Sequence, residues 1–383
     1  MIHNKKETHI IAKSRFQAVR IGILCIMGII AFMLMFIPGW SYVYTRSIYP
    51  IIGKVLSTFS GLFPFAIGDL FIAGSIAWII GYSIYALFTR RKKLWLVVEY
   101  IAWVFIWFYL AWGINYAQPN IYQRMDMKPA EVSKAQLKDF ADRYIDSLNY
   151  YYDARMLKRE KSTSDVDDKL KERVTAAVLQ GYNRIGGDNT SEQSSKSVEN
   201  YGINRPFTLH PHAKTMVFSW LSSMAGVTGS MGPFFCEYTL NGDLLPHEYP
   251  ATYAHEFAHF LGIANEGEAN FYSYVVCTSS TDKAIKFSGY YHILYYVLNN
   301  VYNIFGEKAA MEYMKKIRPE IIQLAQSDQK YWHNKRFQPI DTVQDYLFEL
   351  YLRGNHVAEG RKSYSGVIAI ILAWQNKKNQ TPA

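Results

Sequence analysis

The chain has 383 residues, with 41 Lys and Arg against 32 Asp and Glu, for a net charge of +9. Half of it is hydrophobic and 19% is charged, which excludes a disordered or low-complexity scaffold. Three cysteines without CxxC spacing exclude a disulfide-dense module and a cysteine-based zinc ribbon.

The N-terminal third does not read as soluble protein. Residues 21–38 are uncharged and apolar and continue into an aromatic fringe, so a first transmembrane helix is expected at about 21–43. Residues 70–88 form a second uncharged run, and residues 94–116 a third that carries only Glu99. Trp95, Trp112 and Tyr116 sit where interfacial aromatics belong in that third span. Residues 51–69 hold Lys54, Pro64 and Asp69 and read as an interfacial or re-entrant segment. A cleaved signal peptide fits the first run poorly, because no small-x-small site follows it and two more spans do.

Eleven basic and three acidic residues in 1–116 give that part +8, leaving +1 for 117–383. Most of the positive charge precedes span one or lies between spans two and three. The positive-inside rule then places a basic tail, residues 1–20, in the cytoplasm and residues 117–383 outside the cell membrane. With the charge excess confined to the anchor, a nucleic-acid partner is not expected; the expected partners are the lipid bilayer and a peptide or protein substrate at its outer surface.

After residue 118 the pattern becomes that of amphipathic helices. Leu137, Phe140, Tyr144, Leu148 and Tyr151 form one apolar stripe, and Val166, Leu170, Val174 and Val178 another. Residues 186–204 are rich in Gly, Ser and Asn and read as a mobile loop. Residues 234–240 followed by Asn241-Gly242-Asp243 give the best strand-and-turn signal, and that strand could accept an extended peptide as an added strand. From Pro250 onward the chain reads as helical again, and residues 366–374 as a buried helix too short to span a membrane.

His255-Glu256-Phe257-Ala258-His259 is an HExxH motif in a helical setting, with Pro250 in the first turn and Gly262 as a stop. Ala254, Phe257, Ala258 and Leu261 bury one side of this helix. His255 and His259, four apart, project together from a neighbouring side, as two imidazoles sharing one Zn2+ must. Glu256, one step round, is placed to act on water as a general base rather than to bind the metal. A third ligand is needed, and Glu266 and Glu268 follow the turn. Asn265 is a suitable N-cap for a second helix, in which the two glutamates lie about 200° apart, so only one can face the metal. Asn270, one turn on from Glu266 and on its face, is placed to orient it, which favours Glu266 as the ligand and leaves Glu268 as the alternative. Tyr364, Arg361 and His292 are weaker candidates for stabilising an oxyanion.

HEFAH followed by an E-x-x-A-N helix resembles the gluzincin metallopeptidases, including the membrane-bound HtpX and CAAX-prenyl-protease group. The wider combination is similar to a bacterial membrane-protein family, the domain of unknown function 3810. It pairs three N-terminal spans and Gly232-Pro233-Phe234 with HExAHxxGxxxExEANF, here running from His255 to Phe271. The resemblance implies a zincin-like fold, zinc ligands His255, His259 and Glu266, and Glu256 as catalytic base. It implies no substrate. The turn between His259 and Glu266 is shorter than HtpX-like proteins have and places Asn265 where metzincins carry a third histidine.

The expected architecture is therefore mainly α: three transmembrane helices, then a mostly helical zincin-like domain with a small β element. The expected function is a membrane-anchored zinc metallopeptidase. A second reading, from another class, is a non-catalytic membrane sensor or assembly factor that keeps the fold and a structural zinc. His210 and His212 flank Pro211 without a visible third metal partner, and His247 and Glu248 read as turn residues. Cys236 and Cys277 are compatible with a disulfide or with two buried thiols.

Overall fold

The computed structural model describes residues 2–89, 94–129, 133–153, 166–186, 201–354 and 366–380. Sixteen α-helices and one small sheet occur among them. The first is α1 (Ile2–Phe36), followed by α2 (Trp40–Val43), a π-helical turn (Tyr44–Ile48) and α3 (Tyr49–Ser60). Then come α4 (Ile67–Phe88), α5 (Trp95–Ala111), a 3-10 turn (Gly113–Ala117) and α6 (Ile121–Arg124).

Two of these helices are long and apolar enough to cross a membrane, Arg15–Phe36 within α1 and Ile67–Phe88. The expected third span is not of that length. Its helix stops at Ala111 after 17 residues, because the backbone leaves helical geometry at Trp112 and tightens into the 3-10 turn. Seventeen residues reach about 25 Å, short of a ~30 Å hydrocarbon core. The three apolar helices nevertheless pack as a unit. Arg20 of α1 pairs with Glu99 of α5 at 2.9 Å, and Ser75 of α4 bonds Tyr100 of α5 at 2.6 Å. The lone carboxylate of the third apolar run is thus matched by a cation from the first. The segment expected to be re-entrant holds α3, which packs on the helical domain: Tyr49 lies fully buried there and donates to the Phe260 carbonyl.

The helical domain continues with α7 (Lys134–Tyr151) and α8 (Asp168–Ile185), whose buried faces are the two stripes expected, apart from Val166, which lies just ahead of α8. Most of the Gly/Ser/Asn-rich segment lies outside the described residues. Three strands form one sheet: β1 (Lys214–Thr215), then, after α9 (Ser219–Met224), β2 (Gly229–Gly232) and β3 (Glu237–Leu240). The order is β1-β3-β2, parallel on one side of β3 and antiparallel on the other. The strand expected over residues 234–240 is shorter, because Phe234 to Cys236 form the turn from β2, with Cys236 at φ 48°. Both edges of β3 are paired, so it cannot accept an added strand.

At the centre lie α10 (Tyr249–Phe260), buried along its whole length, and α11 (Glu266–Thr278). Around them pack α12 (Lys283–Phe305), α13 (Glu307–Lys316), α14 (Pro319–Lys335), α15 (Gln338–Gly354) and α16 (Val367–Gln380). The last is the short closing helix, with Val367, Ile368 and Ile371 fully buried. Cys236 and Cys277 are free: Cys236 Sγ lies 3.4 Å from the Tyr49 hydroxyl and Cys277 Sγ 3.6 Å from the Pro250 carbonyl. Burial pushes both thiols up to about 12.

Candidate metal centre

The local sequence of α10 explains its position. Pro250 opens it, and Gly262, at φ +97°, closes it. Ile263 N bonds the Ala258 carbonyl at 3.1 Å and Gly262 N the His259 carbonyl at 3.0 Å, the paired bonds of a Schellman ending. The last carbonyls of a helix need outside donors. Here Trp112 Nε1 donates to His259 O at 3.0 Å, Tyr49 to Phe260 O at 2.6 Å and Gln118 Nε2 to Gly262 O at 2.6 Å. All three donors come from the N-terminal third of the chain. The end of the site helix is thus clamped by its terminal carbonyls onto α3 and the stretch that follows α5.

The turn at Gly262 also aims His259. Ile263 O returns beneath the ring and accepts from Nδ1 at 2.6 Å, which leaves Nε2 facing the site. His259 Nε2 lies 3.0 Å from His255 Nε2, and Glu266 Oε2 lies 3.1 Å from His255 Nε2 and 3.4 Å from His259 Nε2. A tetrahedral centre with bonds of about 2.1 Å separates its ligand atoms by roughly 3.4 Å. Two imidazole nitrogens and a carboxylate oxygen converging at these distances fit Zn2+ in both donor chemistry and spacing. Burial opposes charge on His259, yet the Glu266 carboxylate outweighs it and holds the imidazole up at about 9. Burial would likewise raise Glu266, but the two histidines hold it well below the carboxylate range. This carboxylate is built to face positive charge, whether a shared proton or a cation.

Glu266 is thus the glutamate that meets the histidines, and Glu268 is not. Asn265 caps α11 by accepting from Glu268 N at 3.0 Å. Glu268 then points to the opposite side, where it pairs with the buried Arg124 at 2.6 Å and accepts from Ile121 N at 2.8 Å. Asn270 corrects a second expectation: its Oδ1 accepts from His292 Nε2 at 2.9 Å and does not orient Glu266. Burial and the neighbouring His255 hold His292 down at about 3, so it stands neutral beside the site with its Nε2 proton committed to Asn270. Arg361 and Tyr364 lie outside the described residues.

Glu256 is buried, and burial pushes its carboxyl above the usual range. It lies against β2, where a Cβ on Gly229 would stand 2.4 Å from its Oε1. That close approach is a feature sequence reasoning missed; a glycine in a four-residue edge strand carries no periodicity to mark it. Gly229, Ser230 and Met231 of β2, a strand paired only with β3 among the described residues, line one cleft of about 1020 Å³ together with the metal-ligand cluster. Tyr295, Tyr296 and Asn299 of α12 also line it, as do the charged residues Arg336, Asp341 and Asp345.

The other histidines are elsewhere. Among the described residues, no metal-ligand group forms at His210 and His212. His247, Glu248 and Asp328 do converge, but as a bonded clamp between the start of α10 and α14. His247 Nε2 meets Asp328 at 2.7 Å, Tyr291 donates to the same oxygen at 2.5 Å, and Trp332 Nε1 donates to Glu248 at 3.1 Å.

The family model described as "Protein of unknown function (DUF3810)" matches residues 44–372. The chain belongs to that family. No curated protein and no solved structure matches it. The DUF3810 match begins after α1 and takes in α4, α5, the sheet and both helices of the ligand cluster, so two of the three apolar helices and the site fall within one family unit.

Proposed function

We propose that this DUF3810 protein is a membrane-anchored zinc metallopeptidase with a zincin-like domain. The observation that carries the reading is the convergence of His255, His259 and Glu266 beside the buried Glu256, in a cleft bordered by a free strand edge. A zinc ion held by those three residues would supply a Lewis acid that polarises a carbonyl and activates water at neutral pH.

The chain's own residues have separate tasks. The edge of β2 offers backbone groups to an extended peptide, the role first expected of residues 234–240. Glu256, with its raised affinity for a proton, takes one from the attacking water and returns it to the departing amine. His259 is fixed through Nδ1, so Nε2 stays free to ligate. His292 cannot serve as oxyanion donor while bonded to Asn270, whereas Tyr295 and Tyr296, which also line the cleft, carry hydroxyls that can donate.

Topology follows from charge. The ends of α1, α4 and α5 nearest the helical domain are Phe36, Ile67 and Ala111, while Arg15 and Arg20 lie toward the other end of the apolar run of α1, and in the sequence the four basic residues 90–93 fall between the other ends of α4 and α5. By the positive-inside rule that opposite end is cytoplasmic and the cleft is extracytoplasmic. In this account α5 crosses with help from its Arg20 partner and from the Trp112–Ala117 turn above it.

Glu256 separates this reading from that of a sensor with a structural zinc, because a structural site needs no general base. The test is Glu256→Gln in the full-length protein, assayed for zinc and for hydrolysis of a degenerate peptide pool. The expected result is unchanged zinc with hydrolysis reduced by about 10²- to 10⁴-fold. Unchanged hydrolysis would overturn the peptidase reading.

A further inference from the structure

The path of β2 relates the cleft to the membrane. Its first residue, Gly229, lies level with Glu256, and its last, Gly232, leads through Pro233 into Phe234. The Phe234 ring packs on Phe71 of α4 at 4.9 Å and lies 6.4 Å from Phe108 of α5. Trp107 Nε1 donates to the Phe234 carbonyl at 3.1 Å. Phe71 and Phe108 each lie about one turn inside the domain-facing ends of their helices. The turn after β2 is therefore seated between two apolar helices, at the depth where the bilayer begins.

The cleft has the same polarity. Trp112 and Tyr116, just past α5, and Pro233, in the turn seated there, line its aromatic end, and Arg336, which lies against Gly226 three residues ahead of β2, lines its charged outer end. A strand laid along the free edge of β2 runs from the membrane boundary at Pro233 to Glu256 at Gly229. That is four residues of sequence, or about 13 Å of extended chain.

We infer that the substrate is a polypeptide tethered to the same bilayer, by a lipid or a transmembrane segment, and that it is cut four to six residues from its point of attachment. The inference rests on the metallopeptidase reading and adds to it a substrate class and a ruler. The tether lies at the aromatic end of the cleft, the flanking residues pair with β2, and the distal part of the substrate passes the charged outer end. Water adds across one amide, leaving a carboxyl group on one fragment and an amine on the other. One fragment stays in the membrane carrying a stub of four to six residues, and the other is released.

The test uses the zinc-loaded full-length protein in phosphatidylcholine vesicles. Two pools of the same degenerate 14-residue peptide are compared, one carrying a palmitoylated terminal residue and one acetylated there, with cut sites mapped by mass spectrometry. Co-localisation alone accelerates any anchored enzyme, so the cut position is the deciding readout. The expected result is cleavage of the palmitoylated pool at least about tenfold faster, with cuts clustered four to six residues from the lipid. Cuts spread evenly along the lipidated peptide, or equal cleavage of the acetylated pool, would overturn the ruler and leave the peptidase standing. Cleavage of neither pool by zinc-loaded protein would remove the peptidase reading and the inference with it.

Discussion

Trp112 Nε1 donates to the carbonyl of His259 at 3.0 Å, so a residue just past the end of α5 holds the backbone of a metal-ligand candidate. The same carbonyl already accepts from Gly262 N, and both bonds are buried. Site and apolar helices are joined at the residue where misplacement matters most.

Trp112→Phe keeps an aromatic side chain but removes the indole donor and part of the buried ring volume. Loss of one buried hydrogen bond predicts a stability decrease of about 1–3 kcal/mol in thermal unfolding. Because His259 is the residue released, zinc affinity is also expected to fall, and by more than in Trp220→Phe, a change at an exposed position on α9. Equal zinc affinity for the two variants would mean that the clamp serves stability alone.

The two glutamates of α11 are expected to fail in different ways. Glu266→Gln should abolish stoichiometric zinc while leaving the fold intact, since its carboxylate faces the cleft and the two histidines. Glu268→Gln breaks a buried ion pair with Arg124 and should cost about 3–5 kcal/mol, with zinc retained by whatever protein folds. Metal analysis alongside thermal unfolding separates the two, and zinc loss in Glu268→Gln at temperatures where it is folded would reverse the assignment.

Gly229→Ala brings a Cβ into collision with Glu256 Cγ, Cδ and Oε1, so the whole glutamate side chain must move. The expected outcome is a fall in hydrolysis of about 10²-fold or more, with zinc content near that of the parent and a melting temperature lowered by the overpacking. A fully active Gly229→Ala would show that Glu256 acts from another position.

Gly262 turns the chain between the two ligand-bearing helices at φ +97°, with a Cβ position 3.3 Å from the Tyr49 ring. Gly262→Ala should cost about 1–3 kcal/mol and shift the Ile263 carbonyl that fixes His259 Nδ1. Denaturant unfolding with a parallel zinc titration measures both effects.

Much of the centre was legible in the sequence because helical spacing alone sets it. His255 and His259 share a face, and Asn265 as N-cap fixes the phase of α11, so Glu266 and Glu268 must diverge. The expectation of Glu266 rested on a pairing with Asn270 that does not form; which glutamate meets the histidines depends on how α11 packs, and Arg124, 144 residues away, holds Glu268. The pairing of Asn270 with His292 was hidden for the same reason, as α12 had no mark of its position. Composition overreached at the third apolar run: residues 94–116 are apolar throughout, but Gly113 and the backbone change at Trp112 end the helix at Ala111. The strand signal overreached at Phe234 and Phe235, whose aromatic side chains serve a turn seated on α4 and α5 instead of a strand.

The most direct measurement is zinc X-ray absorption on the purified full-length protein, with metal content determined on the same sample. The account predicts one zinc per chain, with two imidazole nitrogens and oxygen ligands at about 2.0–2.2 Å, lost in His255→Ala. Protein with no stoichiometric zinc, or zinc whose shell contains sulfur or survives His255→Ala unchanged, would contradict it.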